Sequence, residues 1–276
     1  MNIRHLFKRY PKKIGIAFSG GAAHGAAHVG VIQVLEQYGV FPTIIAGSSA
    51  GAIVGAAYAA GASAAEMSTL MYKLKWPRLI RVMPVSTLGV FDTQPMEEFI
   101  KREIGDYTFE QLPRKFACVA CDLMSGKRVV FNSGLVAPAV RASAAIPSLF
   151  SPVRTGGSFL IDGGVVDNLP VDLVKDMGAD YIIGVDLSNS VRLNREPHNL
   201  FEVLMATATL VQNRASMPAG ERMDCWIRPK VDDLSAWTFS NVNVRKLEQR
   251  GRSAALKVLS QLQEDLGLPA SRRDQR

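Results

Sequence analysis

The chain is poor in cysteine, with three in 276 residues. Three thiols cannot build a disulfide framework, and their scarcity matches a reducing, cytoplasmic setting. Histidine is scarce as well, with four, which leaves few candidates for a catalytic base. The opening segment MNIRHLFKRYPKK lacks an apolar core and a small-residue cleavage site, so it does not read as a secretion signal. Internal repeats and low-complexity segments are missing, and no linker interrupts the pattern from Ile14 to about Leu266. One domain over 14–268 is expected, with a basic extension at 1–13 and a disordered tail at 269–276.

With 47% apolar and 21% charged residues, the composition excludes a disordered chain. The net charge is +7, with basic clusters at Lys8/Arg9/Lys12/Lys13, at Lys73–Arg81 and at Arg272/Arg273/Arg276. Most such charge is solvated surface; attraction to an anionic membrane is the alternative. No nucleic-acid motif accompanies it, so a nucleic-acid partner is not expected. Between Gln37 and Ala65 there is no charged residue, a run longer than the ~20 residues of a membrane span. Pro42, Gly47, Ser48, Ser49 and Gly51 break it, and it reads as buried strand, tight turn and buried helix.

Strands and helices alternate along the chain. Ile14–Phe18 is an apolar strand, Ser19–Gly25 a glycine-rich loop, and His28–Tyr38 a helix stopped by Gly39. A strand over Thr43–Ala46 and a helix over Ser49–Ala60 follow. Ser63–Lys75 and Thr93–Ile104 read as helices, with an irregular stretch between Trp76 and Phe91. A hairpin is expected from Phe116–Asp122 and Arg128–Asn132, then a helix over Pro138–Ala145 and strands over Ser158–Ile161 and Tyr181–Val185. Leu169–Met177, Asn199–Ala215 and Val242–Leu266 complete the helices, with a Trp226–Pro229 strand. The class is α/β: a mostly parallel sheet covered by helices on both faces.

Three short segments carry chemistry. Gly47-Ser48-Ser49-Ala50-Gly51 is a G-x-S-x-G between a strand and a helix, the context of a nucleophile elbow. An ordinary glycine turn is the other reading. A nucleophilic serine needs a base, and in chain order only His198 could complete a histidine triad, from a polar loop after Pro197. A carboxylate is the better candidate. Asp162 ends an apolar strand and is followed by Gly163 and Gly164, although Asp-Gly also suits an Asx-turn. The third segment, Ser19–Gly25, leaves successive amides free for an anion. A dinucleotide would want an acid near the end of the second strand, where none occurs, and a Walker-type Gly-Lys-Ser/Thr is missing. An oxyanion hole remains.

Taken in order, these segments resemble the patatin-like phospholipase family over roughly Ile14–Ser188, and most nearly its compact bacterial members. Ala142-Ser143-Ala144-Ala145-Ile146-Pro147 and Val166-Asp167-Asn168-Leu169-Pro170 add to the resemblance. It implies a serine acyl-ester hydrolase of lipids, of phospholipase or lysophospholipase type, with a Ser–Asp dyad. Ser49 is then the nucleophile, Asp162 its partner, and the amides of Gly20, Gly21 and Ala22 the oxyanion donors. His24, Gly25, Gly47, Gly51, Gly163 and Gly164 support the motifs. No metal or other cofactor is implied. Two positions depart from the family pattern: Ala22 replaces the loop's third glycine, and His24 stands where a cation is usual, so a charge there depends on protonation near neutrality.

Two rival readings stay open, a catalytically marginal regulatory member and a small-ester carboxylesterase or thioesterase. Cys118 and Cys121 tempt as a C-x-x-C, but they lie in a strand and face opposite sides, so core thiols are expected. Leu74–Met83 interleaves basic and apolar residues; it suits either membrane contact or packing onto the domain.

Overall fold

The computed structural model describes residues 13–82, 88–188, 196–216 and 222–269. The basic extension expected at 1–13, Lys13 apart, and the tail expected at 269–276, Pro269 apart, lie outside the described residues. Strand β1 (Ile14–Phe18) runs through a 3-10 turn (Ala22–Gly25) into helix α1 (Ala26–Gln37). β2 (Ile44–Ser48) and α2 (Ala50–Ala59) follow. α3 (Ala64–Lys73) is started by a capping box between Ser63 and Glu66.

The stretch expected to be irregular after Trp76 is more ordered than the sequence suggests. It holds a single helical turn, α4 (Trp76–Leu79), and an antiparallel ribbon of β3 (Arg81–Val82) and β4 (Phe91–Asp92). α5 (Gln94–Glu103) carries Pro95 in its first turn, where the missing N–H costs nothing. β5 (Lys115–Asp122) and β6 (Arg128–Phe131) form the expected hairpin. After α6 (Val136–Ser143), β7 (Val153–Thr155) pairs with β8 (Ser158–Asp162). β7 is too short to show a period in the sequence. α7 (Val171–Asp176), β9 (Tyr181–Val185), α8 (Leu200–Ser216), β10 (Cys225–Ile227) and α9 (Asn241–Leu266) complete the order.

Among the described residues eight strands make one sheet in the order β10-β9-β1-β2-β5-β8-β7, with β6 also paired to β5. From β10 to β5 every pairing is parallel, whereas β8 runs antiparallel to β5. Side chains alternate between two cores, as the period of a strand requires. Ile16, Phe18, Ile45, Phe116 and Cys118 face the larger one; Ala17, Ile44, Ala46, Ala117 and Val119 face the other, with Leu173 and Val174 of α7. Cys118 and Cys121 are buried and free, and burial holds the Cys118 thiol well above its ordinary pKa. The charge-free run from Gln37 folds into β2, a turn and α2. Among the described residues no helix is long and apolar enough to cross a membrane.

The chain reaches the middle of the sheet first, moves out through β2 to β5, and returns to add β9 and β10 on the other side of β1. That reversal opens a crevice at the C-terminal ends of β1, β2 and β9. α1 is held in place there by α9, and the two helices cross at a glycine from each. A Cβ at Gly30 would lie 2.0 Å from the carbonyl oxygen of Glu248, and one at Gly251 would lie 1.9 Å from that of Ala27. Backbone on both sides cannot yield, so Gly251→Ala is expected to cost about 1–3 kcal/mol of stability as overpacking. Urea denaturation checks this against Ser253→Ala on the exposed side of the same helix, which should change stability by less than about 0.5 kcal/mol.

Candidate active site

The end of β2 turns sharply into α2, and Ser49 sits on the corner with φ 53° and ψ −121°. Side chains rarely adopt a positive φ, so the surroundings must hold it there. They do so by backbone crowding. A Cβ on Gly47 would come within 2.3 Å of the Gly51 carbonyl oxygen, and one on Gly51 within 2.3 Å of the Phe18 carbonyl oxygen. The two glycines flanking Ser49 thus press β2, α2 and the end of β1 together. The Ser49 N–H donates to the Ser143 hydroxyl at 3.0 Å, a bond made at the buried end of α6.

Asp162 ends β8, wholly buried. The Ser49 hydroxyl donates to its Oδ2 at 2.5 Å. Its other oxygen accepts the Gly164 N–H at 2.7 Å and faces the Gln212 amide at 3.5 Å. Burial lifts the carboxyl to about 6, against the pull of the Ser49, Gly164 and Gln212 donors. The chain can turn away so soon after Asp162 because Gly163 passes close to β5, where a Cβ would lie 2.1 Å from the Val119 carbonyl oxygen.

The loop after β1 borders the same crevice. The Gly20 N–H points at Asn168, 3.1 Å from its Oδ1 and 3.3 Å from its carbonyl oxygen. Ala23 donates to the Ala236 carbonyl at 2.8 Å, and His24 Nε2 is 2.8 Å from the Leu234 carbonyl. Between these anchors the amides of Gly21 and Ala22 have no partner among the described residues. Ala22 has φ 49°, the left-handed conformation in which a glycine would cost less. The crevice is lined by Gly21, Ala22 and Ser49 with Asn168, Gln212 and Trp237. Such an arrangement allows a hydroxyl to lose its proton to the neighbouring carboxylate as it attacks, with two amides facing the cavity.

A family model described as patatin-like phospholipase matches residues 16–175. The chain belongs to this family. An uncharacterized NTE family protein of Mycobacterium tuberculosis H37Rv is 36% identical over 180 residues, covering 64% of this chain and 50% of that protein. A lysophospholipase, nte1, of Aspergillus fumigatus is 34% identical over 184 residues, covering 64% of this chain and 12% of its own length. The chain thus spans about half the length of the first mycobacterial relatives and a smaller share of the fungal one. Among solved structures, VipD of Legionella pneumophila superposes with a TM-score of 0.61 at 14% identity, over 90% of this chain and 67% of VipD. The type III effector protein ExoU gives 0.52 at 18% identity, over 91% and 53%. These two share the patatin-like fold.

Of the residues singled out from sequence, Ser49 and Asp162 touch, and Gly20, Gly21 and Ala22 border the same crevice. Gly25 closes the 3-10 turn against Ala50. His24 departs from expectation. Burial lowers its pKa, which disfavours a cation there, and the ring tethers the loop through the Leu234 carbonyl. His198 is exposed at the start of α8, its N–H donating to Glu202, and takes no part in the crevice. Sequence reading assigned no role to Ser143, Asn168 or Gln212. Ser143 and Asn168 do lie in the two stretches that add to the family resemblance; nothing local marks Gln212.

His28 lies wholly buried beneath the loop, its Nε2 donating to the Ser19 carbonyl at 2.8 Å and its Nδ1 unpartnered among the described residues. Burial presses its pKa down to about 4. The unfolded chain therefore binds a proton that the folded chain refuses between about pH 6.5 and 4, and stability falls as pH falls through that window. From pH 7 to pH 5 the wild type should lose about 2 kcal/mol more than His28→Gln, at ~1.4 kcal/mol per pH unit. Asp162, whose raised pKa works in the opposite sense, is common to both proteins and cancels. Equal losses in parallel urea titrations would mean that His28 accepts the proton without cost.

Proposed function

We propose that this chain is a serine acyl-ester hydrolase acting on lipid substrates, with Ser49 as nucleophile and Asp162 as its base, carried by one domain over 14–268. The observation behind the reading is the 2.5 Å contact between the Ser49 hydroxyl and a buried carboxylate at a strained elbow. Asp162 takes the Ser49 proton as Oγ bonds to the ester carbonyl carbon. The Gly21 and Ala22 amides receive the oxyanion; Gly20, whose N–H is engaged by Asn168, is left out of the pair. As the carbonyl reforms, the alkoxide departs with the proton from Asp162. Water then attacks the acyl-enzyme, loses its proton to Asp162, and releases the acid and Ser49. The lysophospholipase named among the relatives supports a lipid ester as substrate.

Fluorophosphonate labelling tests the assignment. Stoichiometric labelling is expected in the wild type and none in Ser49→Ala; Asp162→Asn should lower kcat/KM by about 10²–10⁴-fold. A folded wild type that takes no label would favour a regulatory member of the family, with the left-handed Ala22 as the first suspect. Because the base must be ionised, kcat/KM should rise with pH through about 6 and level off above it. Activity that is flat from pH 5 to 8 would remove Asp162 from the role of base.

Peripheral contact with an anionic membrane belongs to the same proposal. Of the Leu74–Met83 segment, Leu74 and Leu79 turn inward, while Arg78, Arg81 and Val82 are exposed. The Trp76 side chain and Met83 lie outside the described residues. Arg78→Glu with Arg81→Glu should weaken sedimentation with anionic vesicles roughly tenfold or more, at about 1 kcal/mol per cation near the surface. Unchanged sedimentation rejects this contact.

A further inference from the structure

A second cavity opens from Ser49 on the side away from Gln212. Among the described residues Ser49 supplies the one polar side chain in its lining, which includes Ile53, Val54, Met71, Leu79, Met96 and Phe150. Ala22, Ser49 and Ile146 border both this cavity and the crevice lined by Asn168 and Gln212. The two spaces therefore meet at the atoms where an ester carbonyl would sit. A carbonyl carbon bonded to Ser49 Oγ, with its oxygen on the Gly21 and Ala22 amides, has two further substituents. One must enter the apolar cavity and the other the polar crevice.

Resting on the hydrolase reading above, we infer that the apolar cavity binds the acyl chain of the substrate, as a single unbranched hydrocarbon, while the alcohol portion leaves through the crevice. The cavity follows the first turns of α2. Val54 lies five residues beyond Ser49, about 7.5 Å along the helix axis at ~1.5 Å per residue. Met71 of α3, Leu79 of α4 and Met96 of α5 border the cavity but not the crevice, and on this inference they are the wall that ends it. Each is buried. Methionine is flexible enough to fill the space when empty and to withdraw before an entering chain. Met71 and Met96 are thus specificity-determining residues: they set the chain length that fits. Up to that wall every methylene leaves water for an apolar surface, which strengthens binding about fourfold. Beyond it no further gain is available.

The test separates binding from turnover. Ser49→Ala protein is titrated by calorimetry with unbranched 2-alkanones from hexanone to dodecanone, neutral ligands that present a carbonyl and one chain. Affinity should climb about fourfold per methylene and then stop. Met71→Ala and Met96→Ala, each in the same background, should move the stop to longer chains. Ile53→Trp, a filling change at a half-buried position, should flatten the series. The wild type should show the same order in kcat/KM on nitrophenyl esters of increasing chain length. Affinity that does not depend on chain length, or a stop unmoved in all three variants while their circular dichroism stays native, overturns the inference. A binding series in a protein that neither labels nor hydrolyses would retain the cavity assignment and discard the hydrolase; hydrolysis without a series would do the reverse.

Discussion

Backbone crowding at the C-terminal edge of the sheet is the constraint on which the site depends. Gly51 lies against the carbonyl of Phe18, Gly47 against that of Gly51, and Gly163 against that of Val119. A methyl group at any of the three would displace main chain, not a side chain that could rotate aside. The ends of β1, β2 and β8 are thereby brought close to one another and to β5, near enough for a serine on one corner and an aspartate on another to share a hydrogen bond. Ser143 and Asn168 lock the arrangement, each by accepting an amide hydrogen from a segment far away in sequence.

The same burial acts on two titratable groups in opposite senses. Asp162 is lifted to about 6 and His28 pressed to about 4, because desolvation disfavours whichever form carries charge. Asp162 keeps three donors that limit the rise, which places a carboxylate near the pH where a base is effective. His28 stays neutral and serves as a strut below the loop. Among the described residues it is the Asp162 carboxylate, not a histidine, that accepts the Ser49 hydroxyl hydrogen.

Much of the architecture is legible along the chain, because buried parallel strands are short apolar runs and the helices between them have clear stops. Tyr181–Val185 agrees residue for residue with β9, and most other limits move by one or two residues. The exceptions have physical reasons. β7 and the β3–β4 ribbon are two or three residues long and owe their pairing to neighbours brought in by the fold. Asp162 ends its strand as expected, yet in a mostly parallel sheet β8 runs antiparallel to β5. It reaches the same edge from outside and stops there.

Residue types and local spacing by themselves determined the α/β class, the elbow around Ser49, the glycine-rich loop after β1 and the candidacy of Asp162. Each of these depends on a few consecutive residues and the conformations open to them. Tertiary structure alone decided that Asp162 lies 2.5 Å from Ser49, that Asn168 occupies the Gly20 amide, that burial lowers the His24 pKa, and that Gln212 faces the carboxylate. It also decided that a polar crevice and an apolar cavity meet at Ser49. Distances, desolvation and enclosed space arise only when segments far apart in the chain are packed against one another, and no local pattern encodes them.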